Sequence, residues 1–225
     1  MRIKVYLFTL ALATSLLSGK IGYAQRSDHQ PSATIPCDSI LSSNLLNSER
    51  IASKFGGYGI DVLYSSARLR VSSLYDGKHI TRTLAIVDYP TVIDSAFSKE
   101  HQVILRGGSI GSTFKAQGWK IEKKNIFLGE LSTDTDWSRL YTLMGIPPSR
   151  LSIWIYVFYI RKDDKVFPYA TISEVYHPDY LSLADLKCIN KDYNTYLKRT
   201  RVISHELKKI TKLLRLDFED LAPGK

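Results

Sequence analysis

Residues 68–89 read RLRVSSLYDGKHITRTLAIVDY, two aliphatic and β-branched runs joined by Asp76-Gly77-Lys78. Extended runs on either side of a short Gly-containing polar turn are the signature of a β-hairpin. The spacing therefore predicts strands over Arg68–Tyr75 and His79–Tyr89, and Gly59–Ser65 adds an earlier strand to make an antiparallel meander. Upstream, Asp38 or Ser39 is placed to cap a helix that runs toward Phe55 and stops at Gly56-Gly57. Downstream, Ile93–Phe114 has a helical pattern broken at Gly107-Gly108, and Trp119–Leu131 is extended. Trp137–Met144 is a short helix stopped by Gly145 and Pro147-Pro148. Leu151–Ile160 is apolar at nearly every position, the mark of a strand covered on both faces. After the polar turn Lys162–Lys165, Tyr169–Tyr176 returns as its neighbour. The fold class is α+β, an antiparallel sheet with packed helices.

The ends of the chain set its destination. Arg2 and Lys4 precede an uncharged run from Val5 to Leu17, and Gly22-Tyr23-Ala24 supplies the small residues that a signal peptidase reads. The pattern predicts a cleavable signal peptide over residues 1–24, a polar linker over 25–36 and the folded domain over 37–190. Residues 191–225 carry a basic amphipathic helix. The apolar run is shorter than the ~20 residues that span a bilayer, so no transmembrane segment is expected after processing. Cleavage removes Arg2, Lys4 and Lys20 and no acid, which takes the formal charge from +9 to +6. The hydrophobic fraction of 44% and charged fraction of 24% are those of a globular chain, not a disordered one.

Cys37 and Cys188 both lie in the exported part, where a disulfide is permitted. They either pair, which would be worth about 4–5 kcal/mol in the chain-entropy model, or stand as two buried thiols. In the last helix, Ile203, Leu207, Ile210 and Leu214 form one stripe, with Lys198, Arg201, His205, Lys208, Lys209 and Lys212 largely elsewhere. Such a stripe is expected to dock the helix on its domain, the alternative being contact with an anionic membrane. Its basic side, with Lys120, Lys123 and Lys124, offers a surface to an anionic envelope partner. Export argues against nucleic acid as the partner of this charge.

Two charges stand in apolar rows. Arg82 shares a strand row with Ile80, Leu84 and Ile86, and Glu174 shares one with Ala170, Ile172 and Tyr176. A charge facing a core needs a partner or a ligand. Either the two pair with each other, or they belong to a binding site in which an arginine grips a carboxylate and a dry glutamate serves as acid or base. Arg70 sits in a less apolar row with Arg68 and Ser72. The histidines and acids, among them Glu100-His101, Glu174 and His177, follow no metal-ligand spacing, and no metal is expected. Gly107–Gly111 lacks the lysine of a phosphate loop and breaks a helix instead.

The order Leu69-Arg70-Val71, Arg82-Thr83, Ser109-Ile110-Gly111-Ser112-Thr113-Phe114 and Ile172-Ser173-Glu174-Val175-Tyr176-His177-Pro178 resembles the chorismate lyases and the superfamily that includes the effector-binding domains of GntR-type regulators. The resemblance covers about Ile51–Leu181. It implies an antiparallel sheet with the ligand enclosed beneath helical flaps. Arg70 and Arg82 would then hold the carboxylates of an aromatic or cyclohexadienyl acid, Ile110 and Gly111 would line its ring, and Glu174 would face its oxygen end. For a lyase, the resemblance implies elimination of an enolpyruvyl ether as pyruvate to leave 4-hydroxybenzoate, with Glu174 moving the proton and no cofactor. The sequence departs from the lyases at Val71-Ser72, at Trp154 and Tyr156 where they carry basic residues, in its extra last helix and in its export signal. The expected function is therefore an exported, periplasmic or secreted, binder of a small carboxylated ring compound, with lyase activity as a further possibility. The competing class is a non-catalytic envelope structural or interaction protein in which Arg82 and Glu174 are only a buried pair.

Overall fold

The computed structural model describes residues 39–42, 45–131 and 137–191 of the 225-residue chain. The expected signal peptide, the linker, Cys37 and the expected C-terminal helix lie outside the described residues. No helix among the described residues is long and apolar enough to cross a membrane.

The described chain runs α1 (Asn47–Phe55), β1 (Tyr58–Ser65), β2 (Leu69–Asp76), β3 (Thr81–Asp88), α2 (Ser98–Leu105), α3 (Ile110–Ala116), β4 (Lys120–Leu131), α4 (Ser138–Met144), β5 (Leu151–Lys162), β6 (Lys165–Tyr176) and α5 (Leu183–Ile189). Among the described residues the strands form one open six-stranded sheet, ordered β1-β2-β3-β6-β5-β4, with every neighbouring pair antiparallel. Helices pack on both faces, so the fold is α+β.

Side-chain alternation divides the sheet into two apolar layers. Ala85, Val87, Trp154, Tyr156, Phe158 and Ile172 face one core with Ile51, Ile104, Phe114 and Leu186 of α1, α2, α3 and α5. Val71, Leu84, Ile86, Ile153, Ile155 and Val175 face the other, closed by Trp137, Leu140, Tyr141 and Met144 around α4. The apolar run of β5 is buried on both faces because it contributes to both layers.

The first helix is shorter than its sequence pattern suggests. It begins at Asn47, preceded by a 3-10 turn over Ser39–Leu41. The Leu46 N–H donates to Glu49 Oε2 at 2.8 Å, which caps the helix at that point, and the buried Arg50 donates to the Ile40 and Ser42 carbonyls, both at 2.9 Å. Gly56 ends the helix at φ 74°, where a left-handed residue is needed.

The hairpin departs from simple alternation at Arg82. Leu74 pairs with Thr83 and Tyr75 with Thr81, so Arg82 is the extra residue of a β-bulge. The bulge takes Arg82 out of the Leu84–Ile86 row. Its Nε and Nη2 donate to Asp76 Oδ2 at 2.9 and 2.8 Å, and its guanidinium lies 3.9 Å from the centre of the Phe55 ring. Asp76 Oδ1 meanwhile accepts the Lys78 and Ile80 N–H groups that close the turn. Burial pushes the Asp76 carboxyl up, but the bonds from Ile80, Arg82 and Lys78 outweigh it and hold the group below its ordinary value.

Candidate functional site

A cavity of about 70 Å³ lies between the helical layer and the α1-side face of the sheet. Its cover comes from two helix starts: Leu46, Asn47 and Ser48 at α1, and Ser109, Ile110 and Gly111 at α3. Gly111 lets Leu46 pack close there: a Cβ would stand 2.7 Å from Leu46 Cδ2 and push that side chain aside. An exposed Lys115–Glu49 ion pair also ties α3 to α1. The floor alternates apolar positions on β3, β5 and β6 (Ala85, Val87, Phe158, Ile172) with three charges, Arg70, Lys123 and Glu174.

Arg70 is 2% exposed. Its row on β2, with Ser72 and Leu74, faces the cavity. Nε donates to Ser72 Oγ at 2.8 Å, and Nη1 donates to the Ile104 and Gly108 carbonyls at 2.9 and 2.8 Å. These carbonyls lie at the end of α2 and in the break before α3, so one guanidinium fixes the sheet to the helical layer. Among the described residues no carboxylate lies within ion-pair distance of it.

Glu174 is 4% exposed on β6 and has both oxygens occupied. Oε1 accepts from Asn47 Nδ2 at 3.1 Å, and Oε2 accepts from Tyr176 Oη at 2.6 Å. Asn47 also donates to Thr83 Oγ1 and accepts from Tyr180 Oη at 2.7 Å. Burial first, and then the neighbouring Glu174 charge, pushes the Tyr156 and Tyr176 phenols well above their ordinary value, so both stay protonated donors. Tyr58 Oη, also on the cavity wall near Ser48 and Ser109, is buried and makes no well-formed hydrogen bond among the described residues.

Lys123 completes the charge set. Its ammonium lies 4.6 Å from the Trp154 ring centre and 4.7 Å from that of Tyr156. Burial lowers its pKa, with Glu174 opposing and Arg50 assisting. Two cations thus face one carboxylate across a mostly apolar space, a setting in which an anion is held more strongly than in water.

The structure therefore brings Arg70, Ile110, Gly111 and Glu174 to one cavity and leaves Arg82 outside its lining. Arg82 and Glu174 do not pair, because each has other partners. Cys188, half-buried on α5, is disulfide-bonded; the expected partner, Cys37, lies outside the described residues. Sequence reasoning missed Asn47, which bonds Glu174 from over 125 residues away, and Tyr180 of the following turn, which bonds Asn47. It also assigned Lys123 to the surface. The available signal was the alternation of β4, where Lys120, Glu122 and Lys124 are exposed and Ile121, Lys123 and Asn125 turn inward. Two clefts of about 480 and 530 Å³ are larger, but no acid lines the first among the described residues, and the second has the Lys99–Gln117 surface for its wall. No protein-family model and no curated protein matches the chain.

Proposed function

We propose that the protein is an exported binder of a small carboxylated ring compound, of chorismate-lyase-like fold, that takes its ligand beneath α1 and α3. The observation that carries this reading is Arg70, a buried cation on a cavity wall with no carboxylate opposite it among the described residues. With Nε and Nη1 given to Ser72, Ile104 and Gly108, the guanidinium would meet a carboxylate through Nη2, in a charge-assisted hydrogen bond. The apolar floor suits a ring, and the buried Tyr58 hydroxyl offers a further donor. With Arg82 committed to Asp76, a single carboxylate is the better match, rather than the two that Arg70 and Arg82 together would hold.

Volume adds a condition. The cavity, at about 70 Å³, is roughly half the ~150 Å³ that admits benzene in an engineered protein cavity. A ring therefore enters only when the helical cover shifts. The two parts of the cover meet each other at Leu46 against Gly111 and at one exposed ion pair, worth only about 0–1 kcal/mol. Asn47 and Arg70, however, bond them to the sheet, so a shift that admits a ring must also loosen those bonds.

The test is thermal unfolding of the mature chain with 4-hydroxybenzoate and related aromatic acids. A ligand that binds only the folded state stabilises it by about 2.7 kcal/mol at a hundredfold excess over Kd, and so raises Tm. The rise should vanish in Arg70→Met and persist in Arg82→Lys. No shift with any aromatic acid would sink the proposal. A positive result warrants assaying chorismate for pyruvate release, with Glu174→Gln as the inactive control. N-terminal sequencing of protein recovered outside the cytoplasm should begin at Gln25.

A further inference from the structure

The Lys123 ammonium lines the cavity, yet among the described residues it makes no hydrogen bond or ion pair and rests only on the Trp154 and Tyr156 rings. The same side chain lines the outer cleft of about 480 Å³, beside Lys115 and Lys120, so it stands at the boundary between the cavity and solvent. Three donors that the protein leaves unused are available to a ligand.

Sheet order fixes where that ligand group would lie. Arg70 is on β2, Glu174 on β6 and Lys123 on β4, in the sequence β2-β3-β6-β5-β4. At ~4.8 Å per strand, the Arg70 and Lys123 strands lie roughly 19 Å apart, with Glu174 midway. Both long side chains reach inward from opposite sides of the apolar floor. Charge then narrows the choice. Arg70 and Lys123 against Glu174 leave one net positive charge, which a single carboxylate neutralises. A second anion would leave the site negative, so the group at the Lys123 end is better matched as a neutral acceptor.

We infer that Lys123 is the second anchor of the site: it donates to a neutral oxygen at the end of the ligand opposite the carboxylate held by Arg70. This rests on the binding function proposed above and narrows its ligand class to monocarboxylates with a carbonyl or ether oxygen at the far end. Lys123 thereby sets specificity, since a ligand without that oxygen covers the cavity side of the ammonium without offering it an acceptor.

The test is calorimetric titration of the mature protein with 4-acetylbenzoate and with 4-isopropylbenzoate, which has nearly the same shape and no acceptor. Wild type should prefer the acetyl compound by about tenfold or more, the size expected of a charge-assisted hydrogen bond. Lys123→Met should bring the two affinities within about twofold by weakening only the acetyl compound. Lys123→Gln, which keeps a donor, should retain part of the preference, and near-ultraviolet circular dichroism checks that both variants fold. Equal affinities in wild type, with binding still lost in Arg70→Met, would overturn the Lys123 assignment and leave the binding function standing. Absence of binding by either compound would overturn the Lys123 assignment, and the binding function falls with it only when 4-hydroxybenzoate and the other aromatic acids also leave Tm unchanged.

Discussion

Arg70 combines two duties in one side chain. Its donors to the Ile104 and Gly108 carbonyls hold the α2–α3 break onto the sheet, and its position on the cavity wall suits it to a carboxylate. Arg70→Met should therefore cost stability as well as ligand. The Ile104 carbonyl keeps the Gly107 N–H, but the Gly108 carbonyl loses its donor, which costs about 1–3 kcal/mol and which denaturant unfolding would read as a lower midpoint. Arg70→Lys should recover part of the stability and less of the ligand affinity, because an ammonium cannot reproduce the planar fork. Glu174 was legible from its row on β6, but its partner Asn47 was not. The sequence pattern extended the first helix back to Asp38 or Ser39, which hides the fact that Asn47 opens the helix and points its amide at the sheet. Loss of that amide in Asn47→Ala should lower stability by about 1–3 kcal/mol, since Glu174 Oε1 and the Tyr180 hydroxyl both lose a buried partner.

Between elements, the hairpin and the helical cover differ in how firmly they are held. Asp76 satisfies two turn N–H groups and the Arg82 guanidinium at once, with side-chain exposures of 8% and 1% for Arg82 and Asp76. Asp76→Ala leaves a buried cation unpaired and should cost about 3–5 kcal/mol by chemical denaturation. Ligand-dependent stabilisation should remain in whatever fraction still folds. The hairpin itself was evident from 68–89, because alternation and the Asp-Gly turn agree. The orientation of Arg82 was not, since a bulge inserts one residue without changing composition and reverses which way that residue faces. The link between α1 and α3 within the cover is lighter. Lys115→Ala removes the exposed link to Glu49 and should change stability by less than about 1 kcal/mol. Ligand association, followed by stopped-flow Trp fluorescence, should become faster if displacement of the cover limits access.

Across the whole molecule, the antiparallel order carries β4, β5 and β6 back beside the N-terminal meander, and this brings Arg70, Glu174 and Lys123 to one face. Strand count and alternation were readable from the sequence; which edge each hairpin joins depends on long-range pairing that no local pattern encodes. The same closure buries two histidines far apart in sequence, and they set an acid limit. His101 bonds through Nδ1 to the Tyr169 hydroxyl at 3.0 Å and packs edge-on to Tyr89, and burial lowers its pKa from 6.5. His177 accepts the Asp179 N–H at its Nδ1, an arrangement that requires the neutral ring. Burial and the Arg82 charge lower its pKa against the opposing Asp179 and Asp76 carboxylates. With folded-state values below the unfolded 6.5, the unfolded chain takes up protons that the folded chain resists. Stability is thus fully present above about pH 6.5 and falls as pH drops below it. Unfolding free energies measured from pH 7.5 down to 5 should decline across that window, and His101→Gln should flatten part of the decline. A profile that stays level between pH 6.5 and 5 would show that neither ring is held neutral by the fold.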